Sequence, residues 1–174
     1  AKAINFGLIY GEGISTLASQ IKVSEEEARD FKKLYFSKIP GAQKFIKSVE
    51  VRLRERGYVK NLFGRRYSTS PDKSYVLVNY LIQGSCADFI KDRMIKVDNM
   101  LAKTSKSRMV SQIHDELLFE IDITTFFKDC EMIKAMLEEN IIGTSLPIDI
   151  NLYYPSLAHK LSYSQENFIK IGLN

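Results

Sequence analysis

The run Gln112-Ile113-His114-Asp115-Glu116 sets an imidazole and two carboxylates between two apolar segments, 108–113 and 117–121. Both segments have strand-like composition, yet a favoured two-residue strand connection uses Asn-Gly or Asp-Gly. A tight connection built from His and two acids breaks that local rule, and such breaks are enriched at functional sites. Carboxylates held at the end of an apolar hairpin could bind a hard, oxygen-preferring cation such as Mg²⁺. The other reading of the same residues is a solvated acidic turn. Metal-assisted phosphoryl chemistry usually draws carboxylates from at least two chain segments, and no second acidic cluster of that kind is present in the sequence.

A second candidate lies at the start of the chain. Lys2, Phe6 and Tyr10 recur every fourth residue, which aligns them on one helix face with modest drift. A cation, a ring and a phenol in that order could hold a nucleotide's phosphates, its sugar and base, and the neighbouring base. Gly7 and Gly11 would let another surface approach closely. The alternative is an ordinary amphipathic stripe with a snorkelling Lys.

These side chains need elements to position them. The chain has 174 residues, 45% apolar and 26% charged, with a net charge of +4. That composition is far from the disordered regime and suits one ordinary globular domain. No apolar run approaches the ~20 residues of a membrane span. Cys86 and Cys130 offer neither a disulfide framework nor a paired metal motif, which points to a reducing compartment. Charge is uneven: residues 44–66 carry eight cations against two acids, while residues 111–150 carry nine acids against two cations. A basic half beside an acidic half suits a protein that grips a polyanion on one surface and holds cations on another; two solvated helix faces would look the same.

The spacing predicts a helix over 1–10 stopped by Gly11 and Gly13, and a short helix over 15–21. Ser24 and Glu27 form a capping-box signature for a helix running to Phe36. Pro40-Gly41 breaks it, and a basic amphipathic helix follows over 42–56, closed by Gly57. A small hairpin is expected from 58–63 and 67–69 around Gly64-Arg65-Arg66, then a long helix over 75–101. The apolar pair around His114 is followed by a helix over 125–140 and a strand over 147–153; the tail beyond Pro155 has no clear pattern. Helices first, then a helix–hairpin–helix–strand order, indicate an α+β fold with an antiparallel sheet.

Taken together, four strings resemble the family A DNA polymerases. Lys2-Ala3-Ile4-Asn5-Phe6-Gly7-Leu8-Ile9-Tyr10-Gly11 is similar to the second half of the family's motif B on its fingers helix, and Gln112-Ile113-His114-Asp115-Glu116 to motif C of its palm. Phe63-Gly64-Arg65-Arg66-Tyr67 and Asn79-Tyr80-Leu81-Ile82-Gln83-Gly84-Ser85 resemble family segments in the same order and at similar spacing. The resemblance covers roughly residues 1–140 and implies a fingers portion over 1–70 and part of a palm over 71–174. It further implies that Lys2 binds the incoming nucleotide's phosphates, Phe6 packs on its sugar, and Tyr10 and Gly11 border the templating base. Arg65 and Arg66 would contact the DNA backbone, and Asn79, Gln83 and His114 the duplex near the primer terminus. Asp115 would be a ligand for catalytic Mg²⁺, one of two ions, with Glu116 in support. Primer-template DNA and a dNTP would be the partners, at an intracellular site of DNA replication in a bacterial or phage-infected cytoplasm or an organelle.

Departures from the family pattern shape these expectations. The family's motif A, with the other essential Asp, lies upstream of motif B, as does an Arg four residues before Lys2. Neither falls within a sequence that opens at Ala1-Lys2-Ala3 without an initiator Met, as a fragment would. Ser74-Tyr75 stands where the family usually has Glu-Arg, and the chain lacks Trp and the family's Gly-x-Asn-Trp ending. The expectation is a chain inactive by itself, working with a companion polypeptide that carries motif A and the thumb. Two rivals are a non-catalytic DNA-binding remnant and an unrelated Mg²⁺-dependent nuclease.

Overall fold

In the computed structural model, residues 2–170 are described apart from 142, 145 and 155. The chain opens with α1 (Lys2–Ile9), then α2 (Ile14–Ile21) and α3 (Glu25–Lys38). The capping box forms in full: Glu27 N–H donates to Ser24 Oγ at 3.3 Å and Ser24 N–H to Glu27 Oε2 at 2.9 Å. The next helix, α4 (Pro40–Arg56), starts two residues earlier than expected. Pro40 occupies its first turn, where the missing N–H costs nothing and the fixed φ is already helical. Gly57 ends α4 in the left-handed conformation at φ 74°, as its type suggested.

A short hairpin follows, β1 (Val59–Lys60) with β2 (Arg66–Tyr67), in the register Val59↔Tyr67. It is shorter than its apolar content suggested, because Asn61 turns the chain. Its Oδ1 accepts the N–H groups of Phe63 and Arg65 at 3.0 and 2.9 Å, giving the backbone of residues 61–65 a side-chain partner in place of a ladder. The long helix α5 (Ser74–Thr104) then runs to the hairpin β3 (Arg108–Ile113) and β4 (Glu116–Glu120). After α6 (Phe126–Leu137), β5 (Asn151–Tyr153) pairs antiparallel with β6 (Lys160–Ser162) and α7 (Gln165–Lys170) closes the described chain. Thus the unassigned tail contributes a strand and a helix. The antiparallel sheet is realised as three separate two-stranded ladders, so the fold is α+β.

Two compact units divide within α5, Ala1–Phe89 and Ile90–Asn174. In the first, Leu8, Leu17, Ala28 and Phe36 form one apolar cluster, and Val49, Leu53, Leu77, Val78 and Leu81 another. In the second, Val97 and Leu101 of α5 pack with Ile133 and Leu137 of α6, against the half-buried Leu117 and Phe119 of β4. β4 is the inward strand of its hairpin; all of β3 except Met109 is exposed.

The base of that hairpin is held by a buried carboxylate. Asp129 is wholly inaccessible and its Oδ2 accepts hydroxyls from Ser105, from Ser107 at 2.5 Å and from Thr125 at 2.7 Å. Ser107 Oγ in turn accepts the N–H of Asp122 at 2.8 Å, so the residues before β3 and after β4 share one anchor. Burial pushes the Asp129 pKa up, but the three hydroxyl donors outweigh it and hold the carboxyl below its usual range. Nearby, Cys130 is buried and its thiol is pushed up to about 11, first by burial and then by Asp129 and Glu131. Buried Arg93 pairs with Glu139.

Candidate functional site

The β3–β4 ladder closes with Ile113 opposite Glu116, so the connection is only His114-Asp115 and Glu116 belongs to the strand. A two-residue loop needs left-handed backbone that Asn or Gly supplies cheaply. Here His114 takes it, at φ 55°, a conformation that costs a side-chain-bearing residue on the order of 1 kcal/mol. Gln112 Nε2 donates to the His114 carbonyl at 3.2 Å, bracing the turn. Between Met109 and Ser111 the register shifts, a bulge at Val110 that adds local twist. Asp115 and Glu116 are exposed, and neither carboxylate has an ion pair or side-chain hydrogen bond among the described residues. Two other acids are committed: Glu120 pairs with Arg108 at 2.6 Å and Asp88 with Arg65 at 2.7 Å.

As a donor set, Asp115 and Glu116 fit a hard cation through uncommitted oxygens. They fit it as part of a shell, since no group of three or more His, Cys, Asp or Glu able to hold a metal ion gathers among the described residues.

On α1, the predicted stripe is a physical stack. The Phe6 and Tyr10 rings lie 5.8 Å apart and within 12° of parallel, and Lys2 Nζ sits 5.9 Å from the Phe6 centroid. Phe6 is 47% exposed, so its outer ring face is open. The helix is seated from behind by close contacts at its two glycines. A Cβ on Gly7 would displace the Glu12 carboxylate, and one on Gly11, at φ 89°, would fall 2.6 Å from Tyr75 Cβ, a position that only glycine fills. Glu12 is tied to α2 by Gln20 at 2.7 Å and to α3 by Lys32, whose ammonium donates to its carbonyl at 2.8 Å. Tyr75, a departure from the family pattern, thus covers Gly11 at the start of α5.

The residues expected on DNA are not equivalent. Arg65 donates Nε and a terminal nitrogen to Asp88 at 2.9 and 2.7 Å, a fork that raises its pKa further and fixes its direction. Asn61 Nδ2 donates to the same carboxylate at 2.7 Å. Arg66 is exposed, its guanidinium 4.7 Å from the Tyr58 ring centroid. Asn79 and Gln83 sit one turn apart on α5; Gln83 is exposed, and the half-buried Asn79 leaves Oδ1 without a hydrogen-bond partner. Gly84 leaves room for the Tyr67 hydroxyl, which a Cβ there would displace.

Sequence reasoning missed Asn61 and Asp88, which organise the Arg65 turn, and Glu12 and Asp129. An Asn three residues before a Gly was a readable turn signal. Apart from Thr125, four residues before Asp129, the described partners of Asp88 and Asp129 lie 22 to 27 residues away, and nothing local announces them.

Comparison with known proteins agrees with the motifs. The family model for DNA polymerase family A matches residues 1–155, and the chain belongs to that family. DNA polymerase I of Rhizobium leguminosarum is 37% identical over 151 residues, 79% of this chain and 15% of that protein. The Mycobacterium leprae DNA polymerase I is 38% identical over 162 residues, 87% of this chain and 17% of that protein. Among solved structures, the POL domain of Pol1 from M. smegmatis, in complex with DNA primer-template and dNTP, matches with a TM-score of 0.75 and 32% identity. That match covers 83% of this chain and 28% of the other. The chain therefore spans about a sixth of the curated relatives it matches and corresponds to part of a polymerase domain. Among the described residues no helix is long and apolar enough to cross a membrane.

Proposed function

We propose that these residues are the C-terminal part of a template-directed DNA polymerase that adds dNTPs to a primer 3′-OH, completed by a segment carrying motif A and the thumb. Residues 1–70 would act as fingers and 71–174 as palm. The observation that carries the reading is the uncommitted Asp115 carboxylate, fixed on a two-residue turn whose hairpin is anchored at its other end. The fold is strained at His114 and presents an acid with no side-chain hydrogen bond or ion pair among the described residues, an arrangement that stability alone does not favour.

Each residue then has a task. Asp115 would be a metal ligand and Glu116 its neighbour in support. Mg²⁺, as two ions, would supply activation of the primer hydroxyl and stabilisation of the charge developing during in-line displacement at the α-phosphate. Lys2 would hold the nucleotide's phosphates and offset charge as pyrophosphate leaves. The exposed Phe6 face would support the sugar, with Tyr10 and Gly11 beside the templating base. Arg66, and Arg65 through the N–H groups Asp88 leaves over, would hold backbone phosphates; Asn79, Gln83 and His114 would touch the duplex near the primer end, where minor-groove acceptors recur in all base pairs.

The test is primer extension by residues 1–174 with and without a separately made upstream segment of the same polymerase. Extension should require both parts. Robust extension by residues 1–174 alone would overturn the companion requirement. An active pair indifferent to Asp115→Ala would make the turn a mere connection and leave the DNA-binding remnant as the better account; DNA degradation in the absence of dNTP would favour the nuclease.

A further inference from the structure

The C-terminal end of α1 carries a carboxylate that the site above does not use. Gly11, in the left-handed conformation, and Glu12 close the helix. Gly11 N–H donates to the Leu8 carbonyl at 3.4 Å, and Glu12 N–H to the Gly7 carbonyl at 2.8 Å. A helix that ends with this pair of bonds commonly packs an apolar residue from the Glu12 position onto the Gly7 position. Here Glu12 Oε2 takes the space that a Cβ on Gly7 would fill. That oxygen is buried and meets no hydrogen-bond donor among the described residues. A carboxylate also opposes the dipole at the C-terminal end of a helix. Stability alone favours an apolar side chain at this position. The remaining polar atoms of Glu12 are bonded outward: Oε1 accepts from Gln20 Nε2 of α2 at 2.7 Å, and the carbonyl accepts from Lys32 Nζ of α3 at 2.8 Å. Glu12 thus ties the end of α1 to both helices that follow it.

We infer that Glu12 is a positioning residue for the incoming nucleotide, holding α1 in the pose that presents Lys2, Phe6 and Tyr10. The inference rests on the role proposed above for that stripe. Phe6 directly precedes Gly7, on which the carboxylate sits, and Tyr10 lies two residues before Glu12. The two rings are stacked on one face of the helix, so they move with it. If α1 holds its pose only part of the time, the apparent nucleotide affinity falls with the fraction that is competent. A bound nucleotide selects that pose again, so the loss belongs in KM and not in kcat.

The test compares Glu12→Met, Glu12→Gln and Gln20→Ala in the completed polymerase carrying these residues. Glu12→Met keeps the length of the side chain and supplies the apolar contact that the helix end lacks, so it should melt at or above the parental temperature. It should nonetheless raise the dNTP KM about tenfold with kcat within about twofold, the result of a pose held about a tenth of the time. Gln20→Ala should raise KM to a similar degree. Adding it to Glu12→Met should change nothing further, because both remove the same bond. Glu12→Gln keeps an acceptor for Gln20 and should restore the parental KM. Equilibrium binding of dNTP to the polymerase on a chain-terminated primer-template should rank the variants in the same order without turnover. Binding of the primer-template without nucleotide should be unaltered. A parental KM in Glu12→Met overturns the inference. So does a raised KM that accompanies a lower melting temperature and is not restored by Glu12→Gln, which would make Glu12 a structural residue only. A parent that neither extends a primer nor binds dNTP overturns the proposed function, and this inference with it.

Discussion

Two turns carry the charged residues that matter here, and they treat charge in opposite ways. At residues 61–65, the Arg65 guanidinium and the Asn61 amide converge on Asp88, and Asn61 also holds two backbone N–H groups. At His114-Asp115, the backbone is strained and braced, yet the two acids bond to no side chain among the described residues. Buried polar groups are paired because leaving them unmet costs free energy, whereas an exposed acid keeps its water and stays available. Acids that are held in place and left unmet are therefore candidates for a ligand. The same contrast recurs between Asp129, buried and saturated with hydroxyls on one oxygen, and Asp115, exposed and uncommitted.

The sharpest way to break this contrast is to exchange the outcomes of the acids. Asp115→Ala should lower primer extension by the completed polymerase about 10³-fold or more, since it removes stabilisation of developing charge. It should leave the melting temperature of the chain unchanged; a substantial drop in melting temperature would mean that the turn acid is structural after all.

Asp129→Ala should do the reverse. Stripping the acceptor from three hydroxyls should cost about 2–3 kcal/mol in denaturant titration. Its carboxyl has a pKa lowered by folding, so its contribution is complete above the unfolded value near about 4 and is lost as pH falls through the folded value. Asp129→Asn should therefore flatten the acid limb of the stability profile below about pH 4. An unchanged acid limb would show that the clamp does not depend on the charge.

The smallest effect belongs to Asp88→Ala, about 1–2 kcal/mol, because its partner Arg65 is 57% exposed and its charge is screened. Arg65→Ala should cost less than Asp88→Ala, since Asp88 also holds Asn61. If the two cost the same in thermal melts, the Asn61–Asp88 bond contributes nothing to the turn.

Much of the architecture was legible because its signals are local. Ser24 with Glu27, Gly57 after the basic helix, and the fourfold spacing of Lys2, Phe6 and Tyr10 each act within a turn or two of helix. Where residues compete locally, the reading slipped: Pro40 starts α4 instead of only separating two helices, and Asn61 cut short a strand that its apolar neighbours suggested. Glu116 was placed in the loop by its charge, but pairing with Ile113 draws it into β4. The strand β6 went unread because three residues acquire strand character only by pairing with β5.

By itself the sequence determined the family, the order of helices and hairpins, and which side chains are chemically able to meet a nucleotide, since motif spacing and helix periodicity are properties of neighbouring residues. Which charges are spent internally was decided only in three dimensions. Asp88 and Asp129 find partners from distant stretches of chain, Gly7 and Gly11 are covered by Glu12 and Tyr75, and Asp115 is left free. A carboxylate's availability depends on the donors that folding brings to it, and that is set by tertiary geometry.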